Sequence, residues 1–561
     1  MRNLCWPLHG QGIEALGRDG KPEIRDIADP ADDQILVRHT AVGLCYSDVK
    51  EVLFGSTHPR LTYRDLGNNP VVPGHEVCMT VVKVGKDYKD TFKVGERYSI
   101  QPDVWYGGKS MPFSFNLDGA YEQYSLLGKE VLKGDGGCYL IPVPDSMSNS
   151  DAALTEPWAC VEASYRATYR TAPKEGGSVL IYAGEKQRAG YCFEAFLSKS
   201  PISKVVICTL NQPLASDIES YCKNKGIQFM SCSIDDLEQN QMSFDDIFCL
   251  DGTSEEIQML LNLLGVQGIL AIMSASPISD IKFDIGRVHY DSITIVGSNS
   301  TSFEKAYLPE IRIDLKDNGI AMIQGAGGPI GMMHLQRAIE ANNRPRILIA
   351  TNRNPVRLRA ISETFGALAK SKGVELICLN PVLAPVEYKT EMSRIVGLGG
   401  VDDIQVMITD SASIVESFSY LAPGGTLSMF AGIKKGTFVT INPTRFFNED
   451  RVRFVGHSGS VLEDQLSIFQ RFTSGQLELR RSVAAIGGMD QFANGVKAMK
   501  ESRFPGKIII YPTVEEFPLV ALSELESLAP DVFCLLEDGR IWTREAEEQL
   551  IKQYGNVELL E

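Results

Sequence analysis

Apolar and polar positions change rhythm twice along the chain. Up to about residue 150 they alternate in short runs, such as QILVRHTAVG (34–43), VCMTVVKVG (77–85) and GERYSIQPDV (95–104). These runs are rich in Val, Ile, Thr and Tyr and bounded by Gly, Pro or Asp, which predicts strands of an all-β, barrel-like domain. Near residue 150 the period lengthens. In EPWACVEASYRATYR (156–170), Trp158, Val161 and Tyr165 recur at near-helical spacing. From Gly176 onward apolar strands alternate with amphipathic helices, the grammar of a doubly wound α/β sheet. Residues 461–512 return to a helix and an apolar strand ending in GKIIIYP (506–512).

The α/β pattern occurs twice. GGSVLIYAGEK (176–186) resembles NGIAMIQGAGG (318–328), and SFDDIFCLDGTSEEI (243–257) resembles GVDDIQVMITDSASI (400–414). LLGVQGILAIMSAS (263–276) pairs with YLAPGGTLSMFAGI (420–433), and DSITIVGSNS (291–300) with DRVRFVGHSG (450–459). In both, the second Asp of the DDI triplet stands 22 residues before a Gly, Asp246 to Gly268 and Asp403 to Gly425. Four similar blocks in one order predict a duplicated nucleotide-binding-type domain, with repeats over 176–316 and 317–460.

Composition narrows the function. The 561 residues carry 55 Lys+Arg against 71 Asp+Glu, a net charge of −16. That acidity argues against nucleic acid, whose phosphates require clustered cations. No run reaches the ~18 apolar residues of a membrane span. MRNLCWPLHG lacks the pattern of a secretory signal, so a cytoplasmic protein is expected. Residues 513–561 hold 12 Asp/Glu against 3 Lys/Arg, yet FPLVALSEL and VFCLL are apolar enough to dock, predicting a packed helical appendage. The 12 cysteines form no CxxC pair, which excludes zinc ribbons and thioredoxin-type redox sites.

Any metal site must therefore be assembled from distant segments. VGLCYSDVK (42–50) offers Cys45, Ser47 and Asp48; VVPGHEV (71–77) offers His75 and Glu76; LTEPWA (154–159) offers Glu156. A thiolate, an imidazole and one or two carboxylates suit Zn²⁺ with an open position, which acidifies a bound alcohol and makes its carbon a better hydride donor. Ser47 is placed to pass the alcohol proton toward solvent, and Asp48 to fix the tautomer of His75.

These motifs resemble the zinc-dependent medium-chain dehydrogenase/reductase superfamily, which includes alcohol and sorbitol dehydrogenases. Its G-x-C-x-[ST]-D element is matched by Gly43–Asp48, its G-H-E element by Gly74-His75-Glu76, and the E-P element of polyol-type members by Glu156-Pro157. The resemblance covers roughly 1–512. It implies an α/β protein with a GroES-like β-barrel catalytic domain (1–175, completed by 461–512) and Rossmann-like doubly wound domains. It also implies zinc on Cys45 and His75, with Glu76 or Glu156 completing the sphere. The family's four-cysteine lobe is absent between Tyr98 and Tyr124, so one zinc is expected. The GAGGPIGMMHLQRA stretch points within the family toward a sorbose-1-phosphate reductase-like branch. Trp105, Tyr106, Phe113 and Phe115 are aromatic candidates for the pocket or for packing.

The second repeat carries the better dinucleotide turn. Gly325, Gly327, Gly328 and Gly331 follow an apolar strand, and Pro329 and Ile330 open a helix whose N-terminus can meet a pyrophosphate. The first repeat reads YAGEKQRAGY, with Glu185, Lys186, Gln187 and Arg188 where backbone must approach phosphate, so loss of binding is expected there. In the family's chain order, however, the nucleotide domain directly follows the E-P helix, which is the first repeat's place. Which repeat serves the metal stays open. At the end of RILIATNRN (346–354), Asn352 stands where NAD-specific domains place a carboxylate, and Arg353 can pair with a 2′-phosphate; this favours NADP over NAD.

The expected protein is an oxidoreductase passing hydride between NAD(P) and a secondary alcohol of a polyol, sugar or sugar phosphate. Alternatives are an isomerase or epimerase with tightly held cofactor, and a nonenzymatic nucleotide sensor. Family dimers often join nucleotide domains through edge strands. An internal repeat in that place makes either a monomer or a homodimer possible.

Overall fold

A computed structural model of the chain describes all residues except 167–168, 240–241, 308–311, 313 and 557–561. It divides into two compact units: Met1–Ala163, Gly328–Met333 and Gly459–Glu561 form one, and Ser164–Gly327 with His334–Ser458 the other.

In the first unit the alternating runs form β1 (Ile35–Gly43), β2 (Glu76–Val84), β3 (Arg97–Ile100), β4 (Tyr124–Leu127) and β5 (Leu140–Pro142). Helix α1 (Tyr46–Phe54) follows β1, and α2 (Asn149–Arg166) runs out of this segment.

The second unit holds both repeats in one sheet. The first repeat supplies β6 (Ser178–Ala183), β7 (Lys204–Cys208), β8 (Gln228–Ser231), β9 (Phe244–Leu250), β10 (Leu264–Met273) and β11 (Thr294–Ser298). The second supplies β12 (Ile320–Gln324), β13 (Ile347–Thr351), β14 (Glu375–Leu379), β15 (Val401–Val406), β16 (Leu421–Met429) and β17 (Arg453–Gly456). Helix α3 (Pro329–Glu340) follows β12. The twelve strands run in the order β8-β7-β6-β9-β10-β11-β17-β16-β15-β12-β13-β14. Each half is the 3-2-1-4-5-6 order of a dinucleotide-binding sheet, read outward in opposite directions. Strands within a repeat are parallel, whereas β11 meets β17 antiparallel at Ile295 and Phe454. The two edges that would be exposed in isolated repeats thus cover each other. Ile281–Asp284 and Phe438–Ile441 pair antiparallel as a second link between the repeats.

Matching residues make matching contacts. Arg170 forks onto Asp246 at 2.7 and 2.8 Å and Lys174 reaches Asp245 at 2.6 Å. Arg312 forks onto Asp403 at 2.6 and 2.7 Å and Lys316 reaches Asp402 at 2.6 Å. The DDI triplet is therefore structural: its carboxylates tie each entering segment to the central strand. At the seam, a Cβ on Gly297 would run into the Ile272 carbonyl and Phe447, and one on Gly456 into the Val288 carbonyl. At these equivalent positions Gly297 leaves room for Phe447 of the second repeat, and Gly456 for the Val288 backbone of the first.

The chain then rejoins the first unit through α4 (Leu462–Thr473), β18 (Val483–Gly488), β19 (Lys507–Tyr511), β20 (Val520–Ala521) and α5 (Arg544–Tyr554). The eight-stranded sheet there has the order β20-β18-β19-β1-β2-β3-β5, with β4 also on β1. Trp6, Tyr121, Phe492 and Ile508 are buried in its core. In the C-terminal segment Trp542 is buried, its indole N–H donating to the Tyr511 hydroxyl at 2.9 Å.

Candidate metal centre and nucleotide site

Strand pairing brings the distant metal candidates together. Gly43, the last residue of β1, pairs with Glu76 on β2 and with Ile509 on β19. Cys45 leaves the end of β1 as the N-cap of α1, while Gly74, at φ +103°, turns the chain so that His75 enters β2. A side chain at Gly74 would strike the Tyr121 ring. The outcome is that one ligand atom each from Cys45, His75 and Glu76 lies within 4.8 Å of the others.

Asp48 organises this group. Its Oδ2 accepts the Cys45 backbone N–H at 2.8 Å, and its Oδ1 lies 3.1 Å from His75 Nδ1, an ionic contact without good hydrogen-bond alignment. Asp48 is fully buried. Its charge overrides the opposing effect of burial and keeps the imidazole basic, leaving Nε2 for a ligand. Glu51, one turn later, is also fully buried; burial first and the Asp48 charge second push its carboxyl well above the usual range. The Ser47 hydroxyl is 3.3 Å from Cys45 Sγ.

The two candidate carboxylates differ. Glu76 is fully buried; its Oε1 takes a short hydrogen bond from the Lys507 ammonium, while Oε2 is buried with no partner. Glu156, on α2, lies outside the three-ligand set. Burial holds its carboxyl up at about 7; the Glu76 charge adds to this, and His75 and Lys507 oppose it. The Cys160 thiol donates to Glu156 Oε1 at 3.5 Å.

Sequence reasoning missed two residues here. Lys507 hides at the start of an apolar strand, where a lysine reads as a strand edge. Glu547, in the acidic C-terminal segment, is buried and accepts the N–H groups of Asn149 and Ser150 at 2.7 and 2.9 Å. It thereby caps the helix that carries Glu156. Of the aromatic candidates, Phe113 and Phe115 are buried, whereas Trp105 is exposed.

The glycine turn of the second repeat is built for close approach. Gly325 has φ +83°, and a Cβ there would strike Ile408. A Cβ on Gly327 would lie 2.6 Å from Asn352 Nδ2 and 2.7 Å from Arg357 Cβ, while Gly328 faces open space. Pro329 begins the 12-residue α3, with Ile330 and Gly331 in its first turn. Asn352 follows the last residue of β13, Thr351, and accepts the Asn354 N–H at 2.9 Å, and Arg353 beside it is exposed. Arg357 joins this group as a residue the glycine spacing did not reveal.

The first repeat has filled the same place. Arg188 donates to Asp251 Oδ2 from its backbone N–H and from Nε, at 3.0 and 2.9 Å, and to the Asn299 carbonyl at 2.6 Å. Tyr191 donates to the same Asp251 oxygen at 2.5 Å. The helix that follows is a single turn, Glu194–Leu197.

Glu156 and Tyr165 stand on the same helix, and the Tyr165 hydroxyl meets His334 Nδ1 of α3 at 2.8 Å, with the Arg337 guanidinium 3.9 Å from its ring centroid.

Comparison with known proteins agrees with this geometry. Residues 31–138 match the alcohol dehydrogenase GroES-like domain. The mannitol-1-phosphate 5-dehydrogenase of Aliivibrio fischeri is 27% identical over 297 residues, 48% of this chain and 69% of that protein. The L-sorbose 1-phosphate reductase of Klebsiella pneumoniae is 27% identical over 319 residues, 52% of this chain and 76% of that protein. In fold, the 2R,3R-butanediol dehydrogenase of Bacillus subtilis aligns with a TM-score of 0.51 at 16% identity, over 91% of this chain and 99% of that one. No helix among the described residues is long and apolar enough to cross a membrane. The chain thus carries an alcohol dehydrogenase GroES-like domain over residues 31–138 and a duplicated Rossmann-like sheet, and is similar in sequence to polyol- and sugar-phosphate dehydrogenases and reductases.

Proposed function

We propose that this chain is a zinc- and NAD(P)-dependent oxidoreductase acting reversibly on a secondary alcohol of a polyol, sugar or sugar phosphate. The observation that carries the reading is the convergence of Cys45, His75 and Glu76 within 4.8 Å, with Glu76 Oε2 buried and lacking any partner. A thiolate, an imidazole and a carboxylate suit Zn²⁺, which when bound polarises the alcohol oxygen and favours hydride loss from its carbon.

The chain's own residues do the rest. Asp48 holds the His75 ring through Nδ1. Lys507 fixes one oxygen of Glu76 and leaves the other for coordination, so Glu76 is the preferred third ligand and Glu156 a neighbour that can hold a proton. Ser47 accepts the alcohol proton and hands it toward solvent. The second repeat holds the nucleotide through Gly325, Gly327, Gly328, Pro329, Ile330 and Gly331, with Asn352 and Arg353 favouring NADP. This assignment is supported by the open glycine turn of the second repeat and by the Arg188 plug in the first. Since β11 and β17 already cover each other, we expect a monomer.

The test couples metal analysis to a polyol and sugar-phosphate screen that follows NADH and NADPH absorbance. One zinc per chain, lost together with turnover in Cys45→Ser, is the expected result, with NADPH preferred and that preference erased in Arg353→Ala. Metal-free protein that Cys45→Ser leaves unchanged would overturn the reading.

A further inference from the structure

One face of the first repeat's sheet is packed with hydrocarbon, and the equivalent face of the second is polar. Strand register sets the correspondence. Ile269 sits level with Asp246 and Thr294, and Ala271 with Phe248. In the second repeat Thr426 sits level with Asp403 and Arg453, and Ser428 with Gln405. Phe248, Ile269 and Ala271 are buried in an apolar cluster that includes Phe303 and Tyr307. Gln405, Thr426 and Ser428 instead line a cavity of about 380 Å³, mouth included, with Arg453 in the place of Thr294.

The polar groups of this cavity lack partners. Arg453 is only 7% exposed, yet among the described residues its guanidinium has neither a hydrogen bond nor a carboxylate within ion-pair distance. Burial and then the Arg312 charge lower its pKa, against Asp403 and Tyr169. Both acids in the cavity wall are already engaged. Asp403 takes the fork of Arg312, and Asp314 that of Arg337 at 2.5 and 3.1 Å. One positive charge is therefore left over, on Arg453. Gln405 Oε1 and Thr426 Oγ1 are also buried without a partner. Such groups are costly to bury unpaired, and a ligand of matching chemistry recovers that free energy.

The unmet groups describe what would satisfy them. A guanidinium fork grips a carboxylate through two parallel N–H···O bonds. The two aspartates in the wall oppose a second negative charge, which disfavours a phosphate dianion. An amide oxygen only accepts, so Gln405 Oε1 calls for a hydroxyl on the ligand, while the Thr426 and Ser428 hydroxyls can donate or accept. The Tyr165 and Tyr169 hydroxyls are held by His334 and the Gly456 carbonyl, which leaves their rings to face a carbon skeleton. The cavity is also separate from the glycine turn, since Thr426 and Arg453 lie level with Ala321, four residues before Gly325.

We propose that Arg453, Gln405, Thr426 and Ser428 form a binding site for a small hydroxycarboxylate on the sheet face of the second repeat. The site needs neither the metal nor the nucleotide.

Calorimetry on the full chain tests this with D-glycerate and three probes that each change one feature. Glycerol lacks the charge, propionate lacks the hydroxyls, and inorganic phosphate carries a different anion. Glycerate should bind one per chain, about tenfold tighter than propionate or phosphate, and glycerol should not bind. Arg453→Gln should weaken glycerate about a hundredfold. Because it removes an unpaired buried charge, it should also raise the Tm of the ligand-free chain, whereas a damaged fold would lower it. Gln405→Met should erase the advantage of glycerate over propionate. Cys45→Ser and saturating NADPH should both leave glycerate binding unchanged, so a failed dehydrogenase reading would not touch this result. No binding of either carboxylate, equal affinity in wild type and Arg453→Gln, phosphate bound more tightly than glycerate, or displacement by NADPH would overturn the site.

Discussion

The two repeats share a scaffold and differ where chemistry would be done. Both tie their entering segment to an Asp pair with an Arg and a Lys, and both place a glycine at the shared seam. Yet on the corresponding face of the central strands, the first repeat packs Phe248 against Phe196, Phe303 and Tyr307. The second presents Gln405 and Ser428 there, and nearby α3 carries buried His334 and Arg337. At the glycine turn, the second repeat leaves open space and a three-turn helix, where the first has an arginine plug and one helical turn. On the proposed reading one half is kept as a nucleotide fold, and its twin, with Arg188 folded onto Asp251, serves as support. What is duplicated without change is framework; what has diverged is function.

The largest effect should come from what the repeats share. Arg170→Met and Arg312→Met each strand a buried aspartate, Asp246 or Asp403, and should cost about 3 kcal/mol or more in chemical denaturation. Nearly equal losses are expected from the two, and a silent variant in either repeat would break the equivalence.

Next comes the turn that separates them. Gly327→Val pushes a side chain onto Asn352 and Arg357 and should weaken NADPH binding about a hundredfold by fluorescence titration. Arg188→Ala, in the first repeat, should leave NADPH affinity as it is. The reverse result would move the nucleotide to the first repeat.

The seam should respond more mildly. Gly297→Val and Gly456→Val force backbone apart at equivalent points and should each lower stability by about 1–3 kcal/mol, read as a fall in Tm. A loss confined to one of them would show that the seam is not symmetric.

The smallest effect concerns acid stability. His334 is buried, and burial first and Arg337 second hold its pKa down to about 3. The unfolded chain takes up this proton below about pH 6.5 while the folded chain refuses it, so stability contributed here is present above 6.5 and falls as pH drops toward 3. His334→Phe, which removes the titrating ring, should lessen the drop in Tm between pH 7 and 4.5. Equal slopes would show that His334 takes no part.

Much of this was legible in the sequence because it rests on local pattern. The strand-and-glycine blocks repeat in order, and the Cys45, His75 and Glu76 motifs lie at strand ends that a barrel brings together. What stayed hidden depends on partners far away. Lys507 pairs with Glu76 across 431 positions, and Glu547 caps Asn149 across 398. Neither carries a local signal, since one reads as a strand lysine and the other as one acid in an acidic segment. The contrast between the repeats also exceeded the motif, because it is three-dimensional: a helix of 12 residues against one of four, and a guanidinium folded into the turn of the first.

The antiparallel meeting of β11 and β17 has a further consequence. When two identical chains join along an edge, every substitution at that edge is made twice, and their union weakens on dilution. Here the two sides are covalently tethered, so their pairing is held at the high effective concentration of one molecule. Each side is also encoded separately. Selection can therefore harden one half for rigidity and leave the other free to bind, a division of labour that identical partners cannot reach.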